Sequence, residues 1–88
     1  MEFSTIGAED NLVEAKTRLE NCECLIVFGK EEIVGVITSD MLDDSKTCGQ
    51  AMEMDILVDP SVEKAASWKP LFIVITVDGE PMAVSRGA

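Results

Sequence analysis

Cys24 to Thr38, CLIVFGKEEIVGVIT, aligns without gaps to Phe72 to Arg86, FIVITVDGEPMAVSR, 48 residues further on. Both stretches read as an apolar run, a turn, an acidic residue and a second apolar run, the pattern of a β-hairpin. Gly29-Lys30-Glu31-Glu32 marks the first turn and Asp78-Gly79 the second, the latter a strong hairpin signal. A shorter match points the same way: Asp10-Asn-Leu-Val13-Glu14 recurs as Asp59-Pro-Ser-Val62-Glu63, 49 residues later. Two matches in the same order, at nearly the same offset, identify an internal repeat.

Working outward, each hairpin is preceded by a helix signal and each helix by a short β-prone stretch. Phe3 to Ile6 and Ile56 to Val58 are those stretches. Asp10 is expected to cap a helix over about 11–21, with Leu12, Ala15 and Leu19 in one apolar stripe. Asp59 is expected to cap a shorter helix over about 61–68, with Pro60 at its first position and Val62, Ala65, Ala66 and Trp68 on its apolar side. Pro70 then blocks continuation. The run Leu71 to Val77 is apolar almost throughout, which suits a strand buried on both faces. Ser39 to Asp44 is read as a short helix and Asp43 to Lys46 as the linker between repeats. The expected fold is α+β: two β-α-β-β(-α) repeats packed as a small pseudo-symmetric pair. The first repeat takes 1–46 and the second 47–88, the second lacking its final helix. One copy of about 45 residues is too small for an adequate core, and packing two together solves that problem.

Composition narrows the function. Seventeen acids against seven scattered bases give a net charge of −10, which argues against nucleic-acid or anionic-membrane binding. No apolar run approaches the roughly 18 residues of a membrane span, and the default expectation is a soluble cytoplasmic protein. There is no histidine, so the usual general base and commonest metal ligand are missing, and no paired base and nucleophile can be named. An enzyme is therefore not expected. Cys22, Cys24 and Cys48 lack the spacing of a zinc site and read as reduced, partly buried thiols. Asp40, Asp43 and Asp44 lack the spacing of a calcium loop and read as a solvated charge run.

Ile33 to Leu42, IVGVITSDML, resembles the v-G-i-i-T-x-x-D-l segment of CBS domains, the motif named after cystathionine β-synthase. The preceding helix (VEAKTRL), the apolar strand (CLIVF) and the run KTCGQAMEMDILVDPSVEKA are similar to the same family, so the likeness spans about residues 3 to 86. The resemblance implies a tandem CBS pair, a regulatory module that binds an adenosine-containing ligand of the AMP, ATP or S-adenosylmethionine class between its repeats. It also implies a homodimer and an attached or partner effector protein. Thr38 matches the family's phosphate-facing threonine. The family's ribose-holding Asp falls on Met41, and Asp40 lies one residue early, a rotation of about 100° at a helix start. In the second copy Ala83 takes the Gly position and Arg86 the Thr position, where a guanidinium fork suits phosphate.

The expected ligand-binding set is thus Ile37, Thr38, Ser39, Asp40, Ile56, Leu57 and Arg86, with no resident cofactor and with or without Mg²⁺ beside the ligand. Thr38 and Asp40 could equally cap the following turn, and Arg86 could be a solvated terminal residue. A net negative field favours nucleosides and monophosphates over ATP. The alternative to sensing is a dimerisation or protein-interaction module whose cleft is plugged by Met41 or Met82.

Overall fold

A computed structural model of the chain describes residues 1–42, 47–59 and 69–87. Its elements are β1 (Phe3–Gly7), α1 (Leu12–Leu19), β2 (Cys24–Gly29), β3 (Glu32–Ile37), a 3₁₀ turn (Ser39–Met41), α2 (Cys48–Ala51), β4 (Ile56–Val58), β5 (Phe72–Val77) and β6 (Glu80–Arg86). They form two three-stranded sheets, ordered β1-β2-β3 and β4-β5-β6. In each, a leading strand runs parallel to the first arm of a hairpin. The α+β class and the paired architecture are as the repeat predicted.

The repeat holds to the residue in the hairpins. Leu25 pairs with Ile37 and Ile73 with Ser85; Val27 pairs with Gly35 and Ile75 with Ala83. Each of these is a 48-residue shift of its counterpart. The ladder slips at the same place in both, so that Val34 and Met82 are the extra, bulged residues. Both turns carry two positive φ angles, Lys30 (50°) and Glu31 (72°) against Asp78 (52°) and Gly79 (82°). Two left-handed residues are what a right-twisted hairpin with a two-residue loop requires. Asp-Gly adopts them at little cost, whereas Lys-Glu does so against side-chain sterics of about 1 kcal/mol or more per residue.

Two clusters make the core. In one, Cys24, Ile26 and Val36 of the first sheet pack with Phe72, Val74 and Val84 of the second. These six are three pairs of repeat-equivalent positions, so the sheets meet as the two halves of a pseudo-dimer do. In the other, Leu25, Val27 and Ile37, on the opposite face of the first sheet, pack with Ile6, Leu12, Ala15 and Cys48. The strand β2 is therefore buried on both faces. The same expectation for Leu71 to Val77 holds only at Phe72 and Val74: Leu71, Ile75 and Val77 are 45%, 42% and 56% exposed. Among the described residues, α1 and α2 both serve the first sheet, α2 packing across β1, β2 and β3.

Local chemistry moves several boundaries. The cap of α1 is Asn11, whose Oδ1 accepts from Glu14 N at 3.0 Å. Asp10 instead turns back, its Oδ2 accepting from Gly7 N at 2.9 Å. The predicted helix over 39–44 is a single 3₁₀ turn within the described residues. The α2 turn was not expected, although Thr47-x-x-Gln50 has capping-box spacing and Gln50 Oε1 accepts from Thr47 N at 2.9 Å. The predicted helix over 61–68 and the linker over 43–46 lie outside the described residues. Asp59 itself is at φ 47°, its carboxylate accepting from the backbone N–H (2.6 Å) and hydroxyl of Thr76. These bonds hold its carboxyl below the usual range.

The chain between the lobes is clamped to the first sheet. Val36 and Glu53 exchange two backbone hydrogen bonds of 3.1 and 2.9 Å. Gly35 makes room for this approach, since a Cβ there would lie 2.5 Å from Met52 Sδ and 2.9 Å from Glu53 O. Substitution Gly35→Ala is expected to cost about 1–3 kcal/mol by overpacking against backbone that cannot swing away. Urea unfolding measures it, and an unchanged midpoint would contradict the close approach. The double change Lys30→Asn with Glu31→Gly is expected to stabilise the fold by about 1 kcal/mol, raising Tm by roughly 4–8 °C; a lower Tm would refute the turn geometry. Burial pushes the Cys24 thiol up to about 11, with Cys22 and Glu23 adding to it and the Met1 amine and Arg86 opposing. The folded value exceeds the unfolded value of roughly 8.5, so the stability this thiol contributes is intact below about pH 8.5 and lost as pH rises towards 11. Replacement Cys24→Ala should flatten that alkaline decline in chemical denaturation; an unaltered slope would rule out Cys24 as its source.

Candidate functional site

Strand β3 ends at Ile37, and the next residue changes the backbone's direction. Thr38 is extended and only 5% exposed, and it caps the 3₁₀ turn that follows. Its hydroxyl donates to Asp40 Oδ1, and its carbonyl accepts from Met41 N at 3.0 Å. Ser39 and Asp40 are exposed. The Thr38 hydroxyl holds the Asp40 carboxyl below the usual carboxylate range, with help from Asp40's own backbone N–H and from Arg86. This turn therefore presents an ionised carboxylate in a fixed orientation.

Arg86 comes from the other lobe. It closes β6, and its guanidinium carbon lies 5.3 Å from the centroid of the Phe72 ring. Phe72 is its register partner on β5 and sits in the inter-sheet core. The bulge at Met82 creates this pairing: without the extra residue, β6 would slip by one and Arg86 would point to the opposite face. From there Arg86 acts electrostatically on both Asp40 and Cys24 of the first lobe.

The predicted residues are thus partly gathered. Thr38, Ser39 and Asp40 share one turn, Arg86 joins them by charge, and Ile56 packs at the inter-sheet core. Ile37 is fully buried with Leu25 and Val27 in the cluster under α1, on the side of the first sheet away from the second. Leu57, following Ile56 along a strand, points to the other face of the second sheet. Two contributors were not in the predicted set. Phe72 seats Arg86, and hairpin counting with the bulge included would have found it. Met41 packs against both core clusters. Met82, the other suggested plug, is 60% exposed. Asp43 and Asp44 of the acidic run lie outside the described residues.

Two clefts open away from this turn. A cleft of about 580 Å³ runs between the β1–α1 loop and the first hairpin turn, lined by Gly7, Ala8, Asp10, Phe28 and Lys30 among others. A second, of about 310 Å³, lies between the two hairpin turns. Neither is lined by Thr38, Asp40 or Arg86. None of the described helices is long and apolar enough to cross a membrane.

No family model matches the chain, and no curated protein matches it by sequence. Solved structures do match in fold. OpuCA of Staphylococcus aureus superposes with a TM-score of 0.67 at 13% identity, over 98% of this chain and 86% of that one. The CBS domain protein NE2398 gives 0.65 at 16% identity, over 96% of this chain and 80% of that one. The cytosolic domain of the Mg²⁺ channel MgtE, solved in complex with ATP, gives 0.56 at 10% identity, over 96% of this chain and 42% of that one. Two hairpins in matched register, each led by a parallel strand and packed sheet to sheet through equivalent residues, give this chain the fold of a tandem CBS domain pair.

Proposed function

We propose that the chain is a regulatory module in which a small ligand at the junction of the two repeats biases how the lobes, or two copies of the chain, are arranged. The ligand class is an adenosine-containing molecule such as AMP, ATP or S-adenosylmethionine. The observation that carries this reading is that the Thr38–Asp40 turn after β3 and Arg86 at the end of β6 come from different repeats yet lie at the same end of the two packed sheets, where the Arg86 charge helps keep the Asp40 carboxyl ionised. An ionised carboxylate accepts from ribose hydroxyls, and a guanidinium pairs with a phosphate. A ligand holding both binds one lobe arrangement better than others and shifts the population towards it. Thr38 and Ser39 shape the turn, Ile56 borders the apolar side, and Ile37 and Leu57 support the strands from behind. The likeness in fold to a domain solved with ATP supports the ligand class. Mg²⁺ would accompany a di- or triphosphate, since the net charge of −10 opposes a bare polyanion. The module is not an enzyme in this reading. It acts in the cytoplasm on an attached or partner effector.

One observation favours a second reading. Met41, three residues after Thr38, packs into both core clusters, and the Thr38 hydroxyl is already given to Asp40. A ligand must displace Met41, a flexible side chain, or else the junction serves only assembly, with homodimerisation or partner docking as the function.

Isothermal titration with AMP, ATP and S-adenosylmethionine, each with and without Mg²⁺, tests the first reading. Micromolar binding is expected for at least one, weakened about tenfold or more by Arg86→Ala through loss of a charge-assisted bond, and strengthened by Met41→Ala. No heat from any ligand, in a protein that stays folded, would leave the assembly reading. Sedimentation would then have to find a dimer or a bound partner.

A further inference from the structure

The strands β3 and β6 have two ends. Thr38 and Arg86 mark one, and the hairpin turns mark the other, about 20 Å away along the strands. At the turn end the cleft of about 310 Å³ is shared by both lobes: Glu31, Glu32 and Ile33 line it from the first, and Val58, Thr76 and Gly79 from the second. Its character is mixed. Val58 is 37% exposed within it, and Ile33 is half-buried opposite. Around these apolar groups stand exposed acids from both lobes. Glu31 and Glu32 line the cleft, Asp78 and Glu80 flank Gly79, and Asp59 is tied to Thr76. Lys30 is the one base in the two turns.

We propose that this turn end is a docking surface for a basic segment of a partner protein, one that carries Lys or Arg on either side of an apolar side chain. The apolar group enters the cleft between Ile33 and Val58, and the flanking cations meet Glu31 and Glu32 on one lobe and Asp78 and Glu80 on the other. Charge complementarity selects this occupant. A second copy of the chain would bring the same five carboxylates against these five, a like-charge juxtaposition that suppresses association. A polyanion is repelled for the same reason. Because the rim is drawn from both lobes, a docked segment reads their relative position, independently of whether a nucleotide binds at the far end.

Fluorescence anisotropy at 0.15 M salt tests it, using a fluorescein-labelled octapeptide of six lysines and arginines around two central leucines. The matched control has serines in place of the leucines. Binding to the leucine peptide is expected to be at least about fivefold tighter than to the serine peptide, and to weaken about tenfold or more in Glu31→Lys/Glu32→Lys. The exposed pair Glu20→Lys/Glu23→Lys changes the net charge equally and should leave affinity within about twofold. Equal weakening by the two double variants, or equal binding of the two peptides, would reduce the effect to the overall charge and overturn the proposal. So would absence of binding by a protein whose melting curve is normal. A dimer in sedimentation that Val58→Asp dissociates would assign the surface to a second copy and overturn it too.

Discussion

The structure depends on the contact of one sheet with the other through Cys24, Ile26 and Val36 against Phe72, Val74 and Val84. A three-stranded sheet has two faces to cover, and among the described residues both helices, α1 and α2, lie on the first sheet. The first sheet gives one face to α1 and α2 and the other to its repeat. Because the contacting residues are repeat-equivalent, the interface is self-complementary in the manner of a twofold dimer, here within one chain. The hairpin register has to be right in both copies for this to work, since a slip by one residue would send Ile26 or Val74 to the wrong side.

That constraint explains features that look decorative in isolation. The bulges at Val34 and Met82 adjust the ladder so that the strand ends, Thr38 and Arg86, come to the junction in usable orientations. Gly35 lets residues 52–53 lie against β3, so the chain enters the second lobe in contact with the first. The same strand ends at Ile37, and Thr38 follows, two residues after the Val36 bridge. Whatever happens at the Thr38 turn is therefore one short, hydrogen-bonded segment away from the chain that leads to β4.

Charge is distributed with similar economy of means. Arg86 is a scarce cation in a chain of net charge −10, and it is placed over Phe72 at the seam, where it acts on Asp40 and Cys24. Among the described residues, the opposite, turn end is almost wholly acidic. The two ends of the strand pair thus differ in kind, one mixed in sign and partly buried, the other acidic and open.

Much of this was legible in the residues. The 48-residue repeat, the strand and hairpin positions, the α1 stripe and the α+β pairing follow from periodicity and turn chemistry, which are local and strong in this chain. Thr38 and Asp40 as partners in a turn also followed, because capping is a matter of neighbours in sequence. What the sequence could not decide are matters of side and contact. Asn11 rather than Asp10 caps α1 because the chain's direction leaving β1 turns Asp10 back onto Gly7. The α2 turn joins the first sheet although it follows the repeat boundary, because that is where the uncovered apolar face lies. Ile37 and Leu57 read as equals of Ile56 in the linear sequence, yet strand alternation sends them to outer faces. The Arg86 charge is felt at Asp40, 46 positions away in sequence, because a bulge and a sheet-to-sheet contact bring the ends of β3 and β6 to one side. The sequence alone determined which segments become strands, helix and turns, since those depend on backbone preference and short-range pattern. Only the tertiary structure decided which of their side chains share a site, since that depends on register and on which face each sheet gives up to the other.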